Sequence, residues 1–428
     1  MVVSLLPYRA LRSISRSNLR TLSEKLQGIA PATGVSCAMN GHVNGGPPAA
    51  GMAPSRGVPA AGGALAKGGG VDKAADFANY FCTYAFLYHQ KEMLSDRVRM
   101  DAYYRSIFRN AKHFLGKTVL DVGTGSGILA IWAAQAGARK VYAVEATVMA
   151  RHARSLIAGN NVDHIVEVIE GAIEDITIPE KVDIIISEWM GYFLVRESMF
   201  DSVIYARDKW LKPTGIMYPS HARMWVAPMR TSLVEHKQQE FQHSMADWGC
   251  FLQDTSDHYN VDMSCLSNPY KEEQTKYFLQ TSMWNSLYPN QIIGQPVIIK
   301  EFDCLTTTME EVSSVRSSFK LPFHPGHSRL CGFAGWFDVH FKGSPTDPAD
   351  HEVELTTAPS TDETTHWGQQ VFLLHPPLNL QDGDILSCSL DITRSRDNHR
   401  LMDVKFVHQL ERASGEKTPL ITSPYFIE

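Results

Sequence analysis

Two glutamates nine positions apart are the residues of this sequence best suited to chemistry. Glu188 and Glu197 lie in the stretch SEWMGYFLVRESM, whose other residues are mostly aromatic or aliphatic. A buried carboxylate without a partner is costly, so it either takes up a proton or pairs with a cation. An arginine guanidinium suits such a pair, because it is planar, permanently charged and able to donate paired hydrogen bonds. We therefore expect two glutamates without an internal cation, which a bound arginine neutralises.

A glycine-rich turn supplies a second candidate site. The strand predicted over 118–121 is followed by the turn VGTGSG, with Gly123, Gly125 and Gly127, and then by a helix. Glycines let backbone amides approach a ligand, and the helix start carries a positive partial charge. Glu145 ends the next predicted strand, where an acid can accept hydrogen bonds from ribose hydroxyls. This pattern indicates a site for a nucleoside-containing cofactor.

The spacing and charge around the turn favour one cofactor. Dinucleotide-binding sites use the spacing GxGxxG, whereas the glycines here stand at alternate positions. Asp121, at the end of the strand, would repel a pyrophosphate but suits a cofactor that carries an ammonium and a sulfonium group. We therefore predict S-adenosyl-L-methionine as the cofactor and not NAD.

The two candidate sites should face one crevice, since ligands of open α/β sheets bind beyond the carboxyl ends of the strands. A guanidinium is a poor nucleophile, and no side chain removes its proton freely at neutral pH. We expect asymmetric contacts with Glu188 and Glu197 to draw positive charge toward the nitrogens they hold. The remaining nitrogen then keeps lone-pair character, and most of the rate comes from positioning and fixed charges.

Three motifs together carry a resemblance to a known family. They are VLDVGTGSGILAIWAAQAGARKVYAVEA, the double-glutamate stretch and Thr365-His366-Trp367. Over about residues 75–428 the sequence closely resembles the protein arginine N-methyltransferases. The resemblance implies a cofactor-binding domain, a β-barrel, and a dimerisation arm inserted into the barrel at about 232–290. It also implies homodimers that methylate arginine in basic protein segments such as histone tails.

The resemblance also assigns roles to single residues. The cofactor-binding residues it implies are Gln90, Arg99, Asp121, Gly123, Gly125, Glu145, Ile173 and Glu174. Asp121 and the Gly123 turn would face the methionyl amine of the cofactor, and Arg99 with Gln90 its carboxylate. Glu145 would bind the ribose, and Ile173-Glu174 the adenine. Many family members carry histidine at the position of Gln90.

Catalytic and substrate-shaping roles are implied in the same way. His366, paired with Asp96 in the family, would tune Glu197 or accept the proton that leaves during transfer. The substrate-shaping residues are Tyr84, Met93, Met199 and Trp367, and Tyr80, Phe81 and Tyr84 would belong to a helix that folds over the cofactor. Members that make symmetric dimethylarginine carry Phe where Met93 stands. We therefore expect a type I enzyme, which makes monomethylarginine and asymmetric dimethylarginine.

The elements that position these residues follow from the hydrophobic patterning. Helices are predicted over 74–88 and about 90–109, and then strands alternate with helices. The predicted strands lie at 118–121, 140–144, 165–169 and 182–186, with helices at 128–134 and 147–159. Such alternation is typical of a parallel, doubly wound sheet, so we expect a Rossmann-like domain over 73–218.

A different pattern begins near Ile216. Short strand-like runs predict an antiparallel sandwich or barrel over 219–428. They cover 216–217, 223–226, 296–302, 312–323, 332–341, 353–357, 370–374, 385–392 and 401–408. The polar, partly helical insertion 232–290 carries aromatic residues, which indicates that it docks on another surface.

Composition limits the function further. The net charge of −6 over 428 residues argues against a general nucleic-acid binder and permits a basic partner. Seven scattered cysteines without a CxxC motif predict neither a disulfide framework nor a zinc site, and we expect no metal. No apolar run reaches the roughly 20 residues that a membrane helix needs, so no membrane partner is expected.

The first 72 residues are predicted to be disordered. Residues 41–70 contain 21 Gly, Ala or Pro, and residues 1–23 contain four arginines, five serines and no acid. The latter composition is typical of an organellar transit peptide, although a disordered basic tail fits equally well. We expect a nuclear and cytoplasmic protein, or an organellar one if residues 1–40 are a transit peptide.

Other functions fit the sequence less well. Amino-methyltransferases of nucleic acids use an Asn/Asp-Pro-Pro-aromatic turn after the fourth strand, where this chain has SEWM. A non-catalytic scaffold of the same fold would be expected to lose one of Glu188, Glu197, Asp121 or Glu145, and all four are present. His324 and His327 could be interpreted as metal ligands, but no Cys or acidic residue lies near them in the sequence at the spacing of a metal site.

Overall fold

The first half of the described chain is built on a parallel sheet. The computed structural model describes residues 80–324, 326 and 329–428, and the predictions for residues 1–79 and His327 lie outside this part. Five strands follow the order β3-β2-β1-β4-β5, and every neighbouring pair is parallel. They are β1 (Thr118–Val122), β2 (Lys140–Glu145), β3 (Val166–Glu170), β4 (Val182–Ile186) and β5 (Leu211–Tyr218). The predicted doubly wound sheet is confirmed.

Helices cover both faces of this sheet. Ile184, Ile185 and Ile186 of β4 follow one another and are all fully buried. Since successive side chains of a strand point to opposite faces, neither face at this strand is open to solvent. The helices are α1 (Cys82–Tyr84), α2 (Leu87–Leu94), α3 (Arg97–Phe108), α4 (Ala111–Phe114), α5 (Ile128–Gln135), α6 (Met149–Gly159) and α7 (Met199–Trp210).

The helix expected over about 90–109 is two helices, because the chain breaks at Asp96. The Asp96 side chain accepts a hydrogen bond from the backbone N–H of Arg99 at 3.0 Å and so caps α3. Aspartate is among the residues preferred at this position, since its short carboxylate satisfies an N–H that has no partner inside the helix. The first predicted helix is broken as well, between α1 and α2.

The expectation that Ile216 and Met217 begin the antiparallel half is wrong. Both residues belong to β5, where they pair in parallel with Ile184 and Ile185 of β4. The short apolar run that they form is therefore an edge of the first sheet. A short run of this kind does not by itself indicate which sheet it joins.

The second half consists of two antiparallel sheets, which confirms the predicted class. One has six strands, in the order β7-β12-β10-β6-β8 with β11 also on β10, and the other has the order β15-β14-β13-β9. Phe333 of the first sheet stacks on Phe406 of the second, with ring centroids 4.6 Å apart. The strands are β6 (His221–Met229), β7 (Met283–Asn285), β8 (Val297–Asp303), β9 (Ser314–Pro322), β10 (Arg329–Gly343), β11 (Pro348–Thr356), β12 (Gln369–Asn379), β13 (Ile385–Arg394), β14 (Met402–Glu411) and β15 (Ile421–Ile427).

A helical excursion interrupts this half between β6 and β7. It contains α8 (Leu233–Tyr259) and α9 (Ser267–Thr275), and a separate helix, α10 (Met309–Ser313), precedes β9. Trp248 stacks on Tyr270 at 4.2 Å, so aromatic rings join the two helices of the excursion. Of the 27 residues of α8 only Val234 is buried. Apolar side chains of this helix such as Phe251 and Tyr259 therefore remain exposed among the residues that the structure describes.

The two halves pack on each other and so hold the cavity described below. The ring of Tyr103, on α3, meets Phe341 of β10 with centroids 5.0 Å apart. The Asn110 side chain donates to the carbonyl of His351 and accepts from its N–H, both at 2.9 Å. Within the described residues, no helix combines the length and apolar character that spanning a bilayer requires.

Candidate active site

A cavity of about 360 Å³ lies at the carboxyl ends of the parallel strands. It gathers residues from α2, from the turns after β1, β2 and β4, and from the loop before β12. Most of the predicted site residues line it: Tyr84, Gln90, Met93, Arg99, Gly123, Gly125, Glu145, Ile173, Glu174, Glu188, Glu197, Met199, His366 and Trp367. Asp96 and Asp121 lie behind this lining. The structure thus brings the two candidate sites of the sequence into one cavity.

The glycine turn forms one wall. Gly123 and Gly125 have φ angles of +71° and +56°, in the left-handed region that other residues rarely adopt. A Cβ on Gly125 would lie 2.9 Å from Oε1 of Gln90, and a Cβ on Gly123 would lie 3.0 Å from Cε of Met199. The positive φ angles therefore favour glycine at both positions, and the backbone of the turn faces the cavity directly.

Glu145 is fixed at the end of β2. Its Oε1 accepts hydrogen bonds from the N–H of Thr147 at 2.9 Å and from its hydroxyl at 2.7 Å, and Oε2 accepts from the N–H of Gly125. Farther along the wall, Ile173 is buried, whereas Glu174 is exposed and accepts a hydrogen bond from Ser202 at 2.7 Å. Glu145 is therefore oriented before any ligand binds.

Asp121 is fully buried beneath the turn. Thr124 donates a hydrogen bond to its Oδ2 at 2.5 Å, and Oδ1 has no hydrogen-bond partner among the described residues. Burial raises the pKa of Asp121 to about 7, because the hydrogen bond from Thr124 offsets only part of the lost solvation. This carboxyl group is poised to become charged when a cation approaches it.

The loop that holds the two glutamates is tightly bent. A Cβ on Gly191 would lie 1.7 Å from the carbonyl oxygen of Arg196, so only glycine fits there. Four non-glycine residues adopt positive φ angles, a conformation that costs about 1–3 kcal/mol each. They are Phe193, Leu194, Glu197 and Ser198. Strain concentrated in one loop indicates that the surrounding structure holds the loop in place.

Part of that support comes from a hairpin far away in the sequence. The N–H of Glu197 donates to the carbonyl of Arg400 at 2.8 Å, and the Arg400 guanidinium donates to the carbonyl of Glu197. The same guanidinium lies over the ring of Tyr80, 3.8 Å from its centroid. Sequence patterning gave no signal for Arg400, because it lies 203 positions from Glu197.

Glu188 has a cation of its own. Nη2 of Arg99 lies 2.8 Å from Oε2 of Glu188, and Nη1 of Arg99 donates to the carbonyl of Met93 at 2.8 Å. Oε1 of Glu188 accepts the N–H of Met190 at 3.2 Å. Arg99 thus neutralises a glutamate, and its contact with the cofactor carboxylate stays a prediction.

Glu197 likewise has an internal partner. Nη1 of Arg196 lies 3.1 Å from its Oε1, and the hydroxyl of Tyr84 donates to Oε2 at 2.7 Å. The expectation that both glutamates lack an internal cation is therefore wrong. The reason is local, because the cation that balances Glu197 is its neighbour Arg196 in the double-glutamate stretch.

Tyr80 and Tyr84 keep their protons beside this charge. Burial, together with the nearby negative charge of Glu197, raises the pKa of both hydroxyl groups well above their ordinary value. Each hydroxyl therefore acts as a hydrogen-bond donor.

His366 and Asp96 form the predicted pair. Nδ1 of His366 lies 2.7 Å from Oδ2 of Asp96, and the backbone N–H of His366 donates to the same oxygen at 2.8 Å. Burial alone would raise the pKa of Asp96, but hydrogen bonds from His366 and from the N–H of Arg99 outweigh burial and lower it. Because Asp96 also caps α3, it joins His366 to the helix that carries Arg99. The role of His366 in the reaction stays a prediction.

One polar cluster outside the cavity has the composition of a metal site. Asp338, His340 and Glu354 place ligand atoms within 4.8 Å of one another. However, Arg223 donates to Asp338 at 2.8 Å and Trp225 donates to it at 2.6 Å. A carboxylate already held by a guanidinium is a poor metal ligand, so this cluster is better described as an ion-pair network.

Comparison with known proteins decides the family. A model of the arginine methyltransferase oligomerization subdomain matches residues 222–413, and a model of ribosomal protein L11 methyltransferase matches residues 108–251. Protein arginine N-methyltransferase PRMT10 of Arabidopsis thaliana is 61% identical over 358 residues, which cover 84% of this chain and 94% of that protein. The chain belongs to the protein arginine N-methyltransferase family.

Solved structures agree with this assignment. That of Arabidopsis thaliana protein arginine methyltransferase 10 has a TM-score of 0.80 at 60% identity and covers 82% of this chain and 100% of that one. The Trypanosoma brucei PRMT1 enzyme-prozyme complex with AdoHcy has a TM-score of 0.68 at 29% identity, covering 81% and 100%. This arginine methyltransferase therefore uses S-adenosyl-L-methionine as its methyl donor, as the glycine turn predicts.

The residues of the cavity fit this cofactor. Two buried charged groups near the turn each keep one atom without a hydrogen-bond partner in the described part of the chain, Nε of Arg99 and Oδ1 of Asp121. The amino-acid end of S-adenosyl-L-methionine carries one carboxylate and one ammonium. A cation and an anion with spare hydrogen-bonding capacity match those two charges.

The buried Asp121 predicts pH-dependent cofactor binding. An ammonium group favours ionised Asp121, so below pH 7 binding must displace a proton from this carboxyl. We expect the affinity for S-adenosylhomocysteine to be roughly eightfold weaker at pH 6.0 than at pH 7.5. Isothermal titration calorimetry measures this, and Asp121→Asn should bind weakly with a flat profile. A wild-type profile as flat as that of the variant would contradict the assignment.

Proposed function

We propose that this arginine methyltransferase is a type I enzyme that makes monomethylarginine and asymmetric dimethylarginine in basic segments such as histone tails. The observation that carries the proposal is that Glu188 and Glu197 line the same cavity as the glycine turn and Glu145. A substrate guanidinium held by the glutamates would therefore lie beside the methyl donor.

The chain's own residues suggest how transfer occurs. Bound S-adenosyl-L-methionine supplies an activated methyl group on its sulfonium. Glu188 and Glu197 hold the substrate guanidinium and orient one terminal nitrogen toward that methyl group. As the new N–C bond forms there, the bond between that methyl carbon and the sulfonium sulfur would break, S-adenosylhomocysteine would remain, and one proton would leave the nitrogen. His366, which lines the cavity and is held through Nδ1 by Asp96, is the residue we assign to receive it.

Met93 and Met199 support the product assignment. Both line the cavity. Methionine is unbranched and flexible, so its side chain can leave space around a guanidinium and adjust to it. Family members that make the symmetric product carry Phe at the position of Met93. We therefore assign the asymmetric product to this chain, and we propose nuclear and cytoplasmic locations, where basic protein segments are available.

A homodimer through the helical excursion is part of the proposal. The excursion exposes Phe251, Tyr259, Leu266 and Tyr277, and a match to the oligomerization subdomain covers it. Exposed apolar and aromatic residues grouped on one helical segment are typical of an interface.

The products provide the direct test of the proposed type. We expect the protein to transfer labelled methyl groups from S-adenosyl-L-methionine to a Gly-Arg-rich peptide and to core histones. Amino-acid analysis of the hydrolysed product should give monomethylarginine and asymmetric dimethylarginine, because we propose that Met93 and Met199 leave room for an already methylated nitrogen. Symmetric dimethylarginine would contradict the type assignment.

Neutralising either glutamate should remove most of the activity. Glu188→Gln and Glu197→Gln keep the size of the side chain but lose the charge, so we expect kcat to fall roughly a hundredfold or more. The exposed Glu416→Gln serves as the matched control and should react like the wild type. Circular dichroism shows whether each variant is folded. Folded variants with wild-type rates would exclude the roles given to the two glutamates.

Charges on the exposed face of the excursion should separate the dimer. Phe251→Asp with Tyr259→Asp places two carboxylates where apolar area is buried, and we expect dimer affinity to fall at least a hundredfold. Sedimentation velocity should show a monomer for this double variant. The control is Leu420→Asp, an exposed position outside the excursion. An unchanged sedimentation coefficient for the double variant would argue against this interface.

A further inference from the structure

Arg196 stands where a substrate guanidinium is expected. Its Nη1 lies 3.1 Å from Oε1 of Glu197, and its side chain lines the cavity. Tyr84 already donates to the other oxygen of the same carboxylate. A forked guanidinium from outside therefore meets a carboxylate whose Oε1 is occupied by a guanidinium of this chain.

The two arginines of the cavity are held very differently. Arg99 is anchored by Glu188 through Nη2 and by the carbonyl of Met93 through Nη1, and its side chain is 11% exposed. Arg196 has its contact with Glu197 and a looser one with the ring of Tyr192, at 5.5 Å, and its side chain is 23% exposed. Nε of Arg196 has no hydrogen-bond partner among the residues that the structure describes. Arg196 is therefore the more easily displaced of the two.

We propose that Arg196 is an internal, displaceable occupant of the substrate position at Glu197 and thereby sets the affinity and selectivity for arginine. The inference rests on the proposed role of Glu197. In the absence of substrate, Arg196 spares the half-buried carboxylate the cost of an uncompensated charge. When substrate binds, its guanidinium replaces Arg196 on Oε1, and the freed side chain turns toward solvent.

This exchange favours one kind of substrate. The incoming group must form better hydrogen bonds with Glu197 than Arg196 does. A guanidinium that reaches Glu188 and Glu197 together satisfies this requirement, because its fork donates to both carboxylates. A lysine ammonium is a single, strongly hydrated point charge, so it forms weaker hydrogen bonds with the two carboxylates than a guanidinium does. Arg196 therefore discriminates against lysine at the cost of weaker arginine binding.

The test is the replacement Arg196→Met, which keeps an unbranched stem and removes the charge. We expect the KM for a Gly-Arg-rich peptide to fall about tenfold with no increase in kcat, since a charge-assisted hydrogen bond no longer competes. Arg196→Lys should give a smaller decrease, about threefold, because its single head group competes less well. Arg316→Met removes an exposed arginine of β9 that pairs with Asp391 of β13 and should leave KM unchanged.

Binding without turnover gives an independent measurement. Calorimetry in the presence of S-adenosylhomocysteine should show tighter arginine-peptide binding by Arg196→Met and detectable binding of the matching lysine peptide. If KM and Kd stay constant or rise in folded Arg196→Met, the proposal is overturned. Arg196 would then hold Glu197 in place and would not compete with the substrate. If Arg196→Met does not fold, Arg196→Lys decides by the same criteria. Failure of the proposed function would give a different result, because the wild-type protein itself would then not methylate the arginine peptide.

Discussion

The balance of charge at the two glutamates is the constraint on which the rest of the site depends. Two carboxylates in a partly buried cavity are tolerated because each has a guanidinium beside it, Arg99 at Glu188 and Arg196 at Glu197. The first partner comes from a helix and the second from the loop itself. One glutamate is therefore built into the scaffold, while the other remains more accessible to exchange.

The scaffold is arranged to hold this loop in a conformation that it would not adopt alone. Glu197 has a φ angle of +85° and is bonded through its backbone to Arg400, which lies in the antiparallel half. Trp367 donates to the carbonyl of Met190 at 2.8 Å and so ties a second part of that half to the loop. The two halves of the molecule thus share the task of placing the carboxylates, and strain at the loop is offset by contacts elsewhere.

The cofactor wall is built differently, because the backbone of glycine residues without side chains forms it. The glycines let the backbone of the turn face the cavity, and Glu145 and Asp121 place carboxyl groups at its two ends, the first of them bonded to the N–H of Gly125. Asp96 connects this wall to the glutamates, because it caps the helix of Arg99 and holds His366 through the same carboxylate. The first turn of α3 therefore links the cofactor wall, the substrate position and the proposed proton acceptor.

The sequence by itself determined the alternation of strands and helices, the glycine turn and the two glutamates, because these features are encoded by local periodicity and residue type. Only the tertiary structure decided where charges meet. The pairing of Arg99 with Glu188 and the contact between Arg400 and Glu197 join segments that are distant in the chain. Likewise, Ile216 joins the parallel sheet because β4 offers it a free edge. Local patterns specify which groups are present, whereas long-range packing specifies which of them touch.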